Sequence, residues 1–159
     1  MNGVLPSDAP QQHADEHPGD VSLPYSRPIF LVGMMGAGKT TIGRALAKVL
    51  GREFLDLDHE IEHRCGVRVA HIFDVEGEQG FRRRECSVLE ECSAQPHLVL
   101  ATGGGAILAP ENRRILQERG VVIYLRASAE ALYSRVARDR SRPLLQTPDP
   151  QGRIRELLK

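Results

Sequence analysis

Four short apolar runs, at residues 29–32, 53–57, 98–101 and 121–125, are separated by longer stretches in which apolar side chains return every three or four positions. Runs of this length bounded by polar or turn residues predict buried strands. The intervening period predicts helices over residues 40–50, 59–65, 78–94, 110–118 and 129–138. In the first helix Ile42, Ala45, Leu46, Val49 and Leu50 share a face and Gly51 stands where a left-handed cap is expected; in the third, Phe81, Val88, Leu89 and Cys92 do the same. Pro110 suits a first helical turn, and Ser128 with Glu130 suits an N-cap followed by a favourable charge. Strands alternating with helices predict an α/β fold, a three-layer arrangement with a parallel sheet flanked by helices. Residues 1–27 carry four prolines among acidic residues and few large apolar side chains, so they are expected to be a disordered extension, with one domain over residues 28–159.

Composition narrows the class only a little. Lys plus Arg equals Asp plus Glu at 21 each, so net charge gives no reason to expect a nucleic-acid or membrane partner. No apolar run approaches the roughly 18 residues of a membrane span, and no export signal opens the chain. Cys65, Cys86 and Cys92 are odd in number and lack metal-ligand spacing, which suits reduced thiols and a cytoplasmic location.

The chemistry begins after the first strand. Gly33 to Thr40 matches G-x-x-x-x-G-K-[ST] between a strand and an amphipathic helix. There, consecutive backbone N–H groups and a helix N-terminus can face nucleotide phosphates, Lys39 adds a point charge, and the Thr40 hydroxyl can meet Mg²⁺. The second strand ends in Asp56 and Asp58, which a period of two would place on one face beside that loop. Three further segments are ambiguous when taken singly: the charged block Gly77 to Glu85, the run Thr102-Gly103-Gly104-Gly105, and Arg142-Pro143-Leu144-Leu145. Alone, the first reads as a solvated helix face and the last as an ordinary loop, while the glycine run fits a flexible loop as well as a close approach to a ligand.

Taken together and in this order, from Ile29 to Leu145, these motifs resemble the shikimate kinase family. The resemblance implies a P-loop NTPase fold of the nucleoside-monophosphate-kinase type, with a five-stranded parallel sheet and a lid loop. It implies transfer of the γ-phosphoryl of ATP to the 3-hydroxyl of shikimate, on the route to chorismate and the aromatic amino acids, by an enzyme expected to be a monomer. Position by position, Gly36, Ala37, Gly38, Lys39, Thr40 and Thr41 would cradle the phosphates, with Thr40 and Asp56 at the Mg²⁺. Asp58 would contact the shikimate hydroxyls and act as base. Arg82 would hold the carboxylate, Glu85 would orient the arginines, and Gly103, Gly104 and Gly105 would line the substrate, with Phe73 and Phe81 walling the ring. Arg142 resembles the lid arginine, and Arg135 falls where the family sets an arginine against adenine.

The family continues with a second carboxylate-binding arginine in an Arg-x-Pro-Leu-Tyr context, a fifth strand and a last helix. Residues 153–159 resemble the start of the helix before them. A chain ending there is expected to leave the strand at 121–125 as an edge and Arg82 without its partner, weakening stability and shikimate binding. Two alternatives are a related small-molecule kinase such as gluconate kinase, and a non-catalytic nucleotide-binding protein.

Overall fold

The computed structural model describes residues 26–139 and 142–159. Its elements follow the chain as β1 (Ile29–Val32), α1 (Lys39–Leu50), β2 (Glu53–Asp56), α2 (Leu57–Cys65), α3 (Val69–Cys92), β3 (Leu98–Ala101), α4 (Pro110–Arg119), β4 (Val121–Tyr124), α5 (Ala129–Val136) and α6 (Pro150–Leu157). Short 3₁₀ turns lie at Ala106–Leu108 and Pro143–Leu145. The four strands form one parallel sheet in the order β2-β3-β1-β4. The expected extension at residues 1–27 falls outside the described residues apart from Ser26 and Arg27.

Burial explains why β1 and β3 read as unbroken apolar runs. Every residue of both strands is buried, because they are central and helices cover both faces. Alternate side chains go to opposite faces. Phe30, Val32, Leu98 and Leu100 join Leu57, Ile61, Phe81, Leu89 and Leu116 from α2, α3 and α4. Ile29, Leu31 and Val99 join Ala47 of α1. A third cluster packs Leu132 and Val136 of α5 and Ile154 of α6 against Met35 and Ala37 of the loop after β1. The edge strand β4 is more open, with Val122, Ile123 and Tyr124 partly exposed. No helix among the described residues is long and apolar enough to cross a membrane.

Several boundaries differ from the sequence reading for identifiable reasons. The second strand stops at Asp56, whose side chain caps α2 by accepting from His59 N at 3.2 Å. Asp58 therefore sits in the first turn of a helix and not on a strand face. The third helix starts nine residues before the expected 78, at Val69, and carries a break at Gly77 (φ 69°, ψ 179°), a conformation open essentially to glycine alone. The break at Gly77 conceals the first half of this helix in the sequence pattern. The last helix starts at Pro150, with the Asp149 carboxylate accepting from Gly152 N at 2.9 Å.

Candidate active site

The C-terminal ends of the strands open into a cleft of about 920 Å³. β1 delivers the loop Gly33 to Gly38, and α1 starts at Lys39, so the N-terminus of that helix faces the cleft. Lys39 is only 9% exposed, and its ammonium donates to Gly33 O at 2.6 Å and Met34 O at 2.8 Å. Burial lowers its pKa to about 8, with the Arg142 guanidinium adding to the fall and Asp58 and Asp56 opposing it. The Thr40 hydroxyl donates to Asp56 Oδ2 at 2.7 Å. A hydroxyl and a carboxylate beside a phosphate-binding loop form a hard oxygen donor set of the kind Mg²⁺ takes, with phosphate and water supplying its remaining positions.

Asp56 and Asp58 do converge, through the turn from β2 into α2 instead of by strand alternation. The pKa of Asp58 rises to about 6, first because the carboxyl is buried and next because Asp56 is a like charge nearby; Lys39, Arg142 and Arg82 hold it down. A carboxylate tuned to near 6 is suited to accept a proton at neutral pH.

The far wall of the cleft comes from α3 and from the loop after β3. Arg82 donates to Glu85 Oε1 at 2.7 Å and pairs with Glu78 Oε1 at 3.4 Å, while its guanidinium lies 5.3 Å from the centroid of the Phe81 ring. Glu85 is fully buried, and burial raises its pKa against the pull of Arg82. Phe73 stacks on Phe81 with ring centroids 4.8 Å apart. The glycine run is required by close approach: a Cβ on Gly103 would stand 2.8 Å from Glu85 Oε2 and 2.9 Å from Asp58 Oδ1, and one on Gly105 would collide with the Arg82 guanidinium. A Cβ on Gly104 would stand 3.1 Å from Met35 N, so this loop lies directly against the phosphate loop.

Arg142 lines the same cleft, its Nε donating to Asp139 Oδ2 at 2.8 Å. Arg135 donates to Gly36 O at 2.8 Å, which ties α5 to the phosphate loop. Gly36, Gly38, Thr41 and Arg135 share the cleft with Lys39, Asp56, Asp58, Arg82 and Arg142. Ala37 is the exception among the expected residues, because its methyl is buried beside Leu132 and Val136 and its N–H donates to Met34 O at 3.1 Å.

Sequence reasoning missed three supporting residues. Glu78 and Asp139 stand four and three positions before Arg82 and Arg142, a spacing that could have revealed the pairs. Thr102 had no such signal; its buried hydroxyl donates to Leu31 O at 3.1 Å and moors the glycine run to β1.

Comparison with known proteins agrees with this geometry. The family model described as "Shikimate kinase" matches residues 35–159. A shikimate kinase of Bordetella pertussis is 60% identical over 160 residues, covering 99% of this chain and 76% of the relative. A structure of the Acinetobacter baumannii shikimate kinase in complex with shikimate superposes with a TM-score of 0.83 at 54% identity, covering 84% of this chain and 74% of that one. The Bacteroides thetaiotaomicron shikimate kinase follows at TM-score 0.75 and 35% identity, covering 83% and 76%.

Proposed function

The chain belongs to the shikimate kinase family, and from that premise we infer that it transfers the γ-phosphoryl group of ATP to the 3-hydroxyl of shikimate, giving shikimate 3-phosphate and ADP. The observation that carries this reading is that Asp58 lies against Gly103 and Arg82 against Gly105, in the same cleft as Lys39. A hydroxylated ring bearing a carboxylate needs an acceptor for its hydroxyls and a guanidinium for its acid, and these two residues provide both. The product suits the aromatic amino-acid route through chorismate.

In the step itself, the 3-hydroxyl oxygen forms a bond to the γ-phosphorus as the bond from that phosphorus to the β,γ-bridging oxygen breaks. The hydroxyl proton passes to Asp58. Lys39 and the backbone N–H groups at the start of α1 neutralise the phosphates, and Arg142 adds charge from the lid side. Glu85 fixes the guanidinium of Arg82 toward the acceptor carboxylate. Thr40 and Asp56 would hold Mg²⁺, which would supply positive charge against the phosphates. Residues 28–159 belong to the kinase domain, and the chain spans about three quarters of the length of the Bordetella pertussis relative. We place the chain in the cytoplasm as a monomer acting on small molecules, with its three free thiols in keeping with a reducing compartment.

A coupled assay of ADP release with and without shikimate tests the reading. Shikimate-dependent ADP formation is expected, with gluconate inert. ADP release indifferent to shikimate would overturn it.

A further inference from the structure

The wall formed by α3 depends on a corner, and the corner has its own fastening. At Gly77 the helix breaks, so that Val69–Glu76 turns away from the line of 78–92 and brings Phe73 back onto Phe81. Glu76, the last residue before the break, lies over Gly80, where a Cβ would collide with its own. From there its carboxylate reaches Arg84, a full turn further on. Arg84 donates from Nε to Glu76 Oε2 at 2.9 Å and from Nη2 to Oε1 at 2.5 Å, a two-pronged pair spanning eight residues. The third nitrogen, Nη1, lies 3.4 Å from Cys65 Sγ at the end of α2. One guanidinium thus joins both halves of α3 to the helix that carries Asp58.

None of these three side chains lines the cleft, yet Glu76 and Arg84 join the two halves of α3 that carry its aromatic wall. Without a fastening, glycine at 77 would leave the angle between the two halves free to vary. Phe73 is on the first half; Phe81, Arg82 and Glu85 are on the second. The angle across Gly77 therefore sets where Phe73 stands relative to Phe81 and the Arg82 guanidinium.

We propose that Glu76 and Arg84 form a strap across the break in α3 that sets the width of the acceptor pocket, acting as positioning residues for the acceptor ring. This rests on the reading of the cleft as the shikimate site. Fork-to-fork guanidinium–carboxylate pairing carries the angular specificity such a role requires.

The test compares the full chain with Arg84→Met, Glu76→Gln and the exchanged pair Glu76→Arg with Arg84→Glu. Because an exposed ion pair contributes at most about 1 kcal/mol, each single variant should raise the KM for shikimate about three- to fivefold. The kcat and the KM for ATP should stay at their original values, and the exchanged pair should restore the acceptor KM. Amide hydrogen exchange should quicken over residues 69–76 and not over 78–92 in the single variants. Unchanged acceptor KM, loss of kcat together with both KM values, or failure of the exchanged pair to rescue would each overturn the proposal. Faster exchange at 69–76 with an unchanged KM would do so too, since the strap would then hold the helix without shaping the pocket. No shikimate turnover by the unsubstituted chain would count against the activity instead, and the exchange comparison would still decide whether the strap holds.

Discussion

Asp58 Oδ1 and Glu85 Oε2 face each other across Gly103, each within 2.9 Å of the point a Cβ on that glycine would occupy. Both oxygens are buried and neither accepts a hydrogen bond among the described residues. Gly103→Ala should therefore push the two carboxylates off their positions, and a displacement of this kind costs roughly 10²-fold in kcat. Steady-state kinetics with ATP affinity measured alongside would check it, since ATP binding should be untouched.

Asp58→Asn removes the proposed proton acceptor without changing shape. A positioned general base contributes about 10²- to 10⁴-fold, so kcat should fall by that factor while the dissociation constant for ATP moves less than about twofold. Equal losses in both would show that Asp58 serves the phosphates.

Lys39 makes nucleotide binding depend on pH in a defined direction. Burial holds its pKa near 8 in the free protein, whereas bound phosphates favour the charged form. As pH rises through 8, free protein loses the proton that the complex retains, so ATP affinity should fall and binding should take up a proton. Titration calorimetry at pH 8.5 to 9 in buffers of different ionisation enthalpy would measure the uptake, and Lys39→Met should abolish it.

The two arginines should separate kinetically. Arg82→Ala removes the charge-assisted contact proposed for the acceptor carboxylate, so the KM for shikimate should rise about 10- to 100-fold. Arg142→Ala should mainly lower kcat, because its partner develops on the moving phosphoryl group. A change confined to the KM for shikimate in Arg142→Ala would remove it from the lid role.

Glu85 should cost stability where it serves function. Its folded-state pKa lies above the ordinary 4.5, chiefly through burial. Its contribution to folding is thus fully favourable below the unfolded value and is lost as pH rises through the folded one. Glu85→Gln should accordingly gain thermal stability relative to the parent as pH goes from 4 to 8, while its KM for shikimate increases. Melting curves across that range, paired with kinetics, would decide.

Much of this site could be read before any coordinates because its parts are local. The phosphate loop, the strand before it and the helix after it occupy consecutive residues, so Lys39 and Thr40 needed no tertiary information. The central strands β1 and β3 were legible because they are buried on both faces, and the edge strands β2 and β4 because short apolar runs alternate with helical patterns. Asp58 was assigned to the right place for the wrong reason, because a capping carboxylate at Asp56 ends the strand early and the pattern of alternation cannot register a cap two residues ahead. The first half of α3 was invisible since Gly77 breaks the helical pattern, and only packing of Ile72 and Phe73 into the wall reveals a helix there. Contacts such as Arg135 on Gly36 span 99 residues and have no signature in spacing.

The abutment of Gly104 on Met35 has a consequence for what this fold can become. Where the two loops meet, main chain lies against main chain, so the gap between the group that gives up phosphate and the group that takes it is set by peptide geometry that exchange of side chains barely alters. The part of the cleft proposed to take the ring draws instead on side chains of α2 and α3. Preference for one alcohol over another is therefore free to drift by ordinary substitution, whereas the reach of the transfer is not. An engineer seeking a new acceptor should work on the helices and leave the two glycine loops alone.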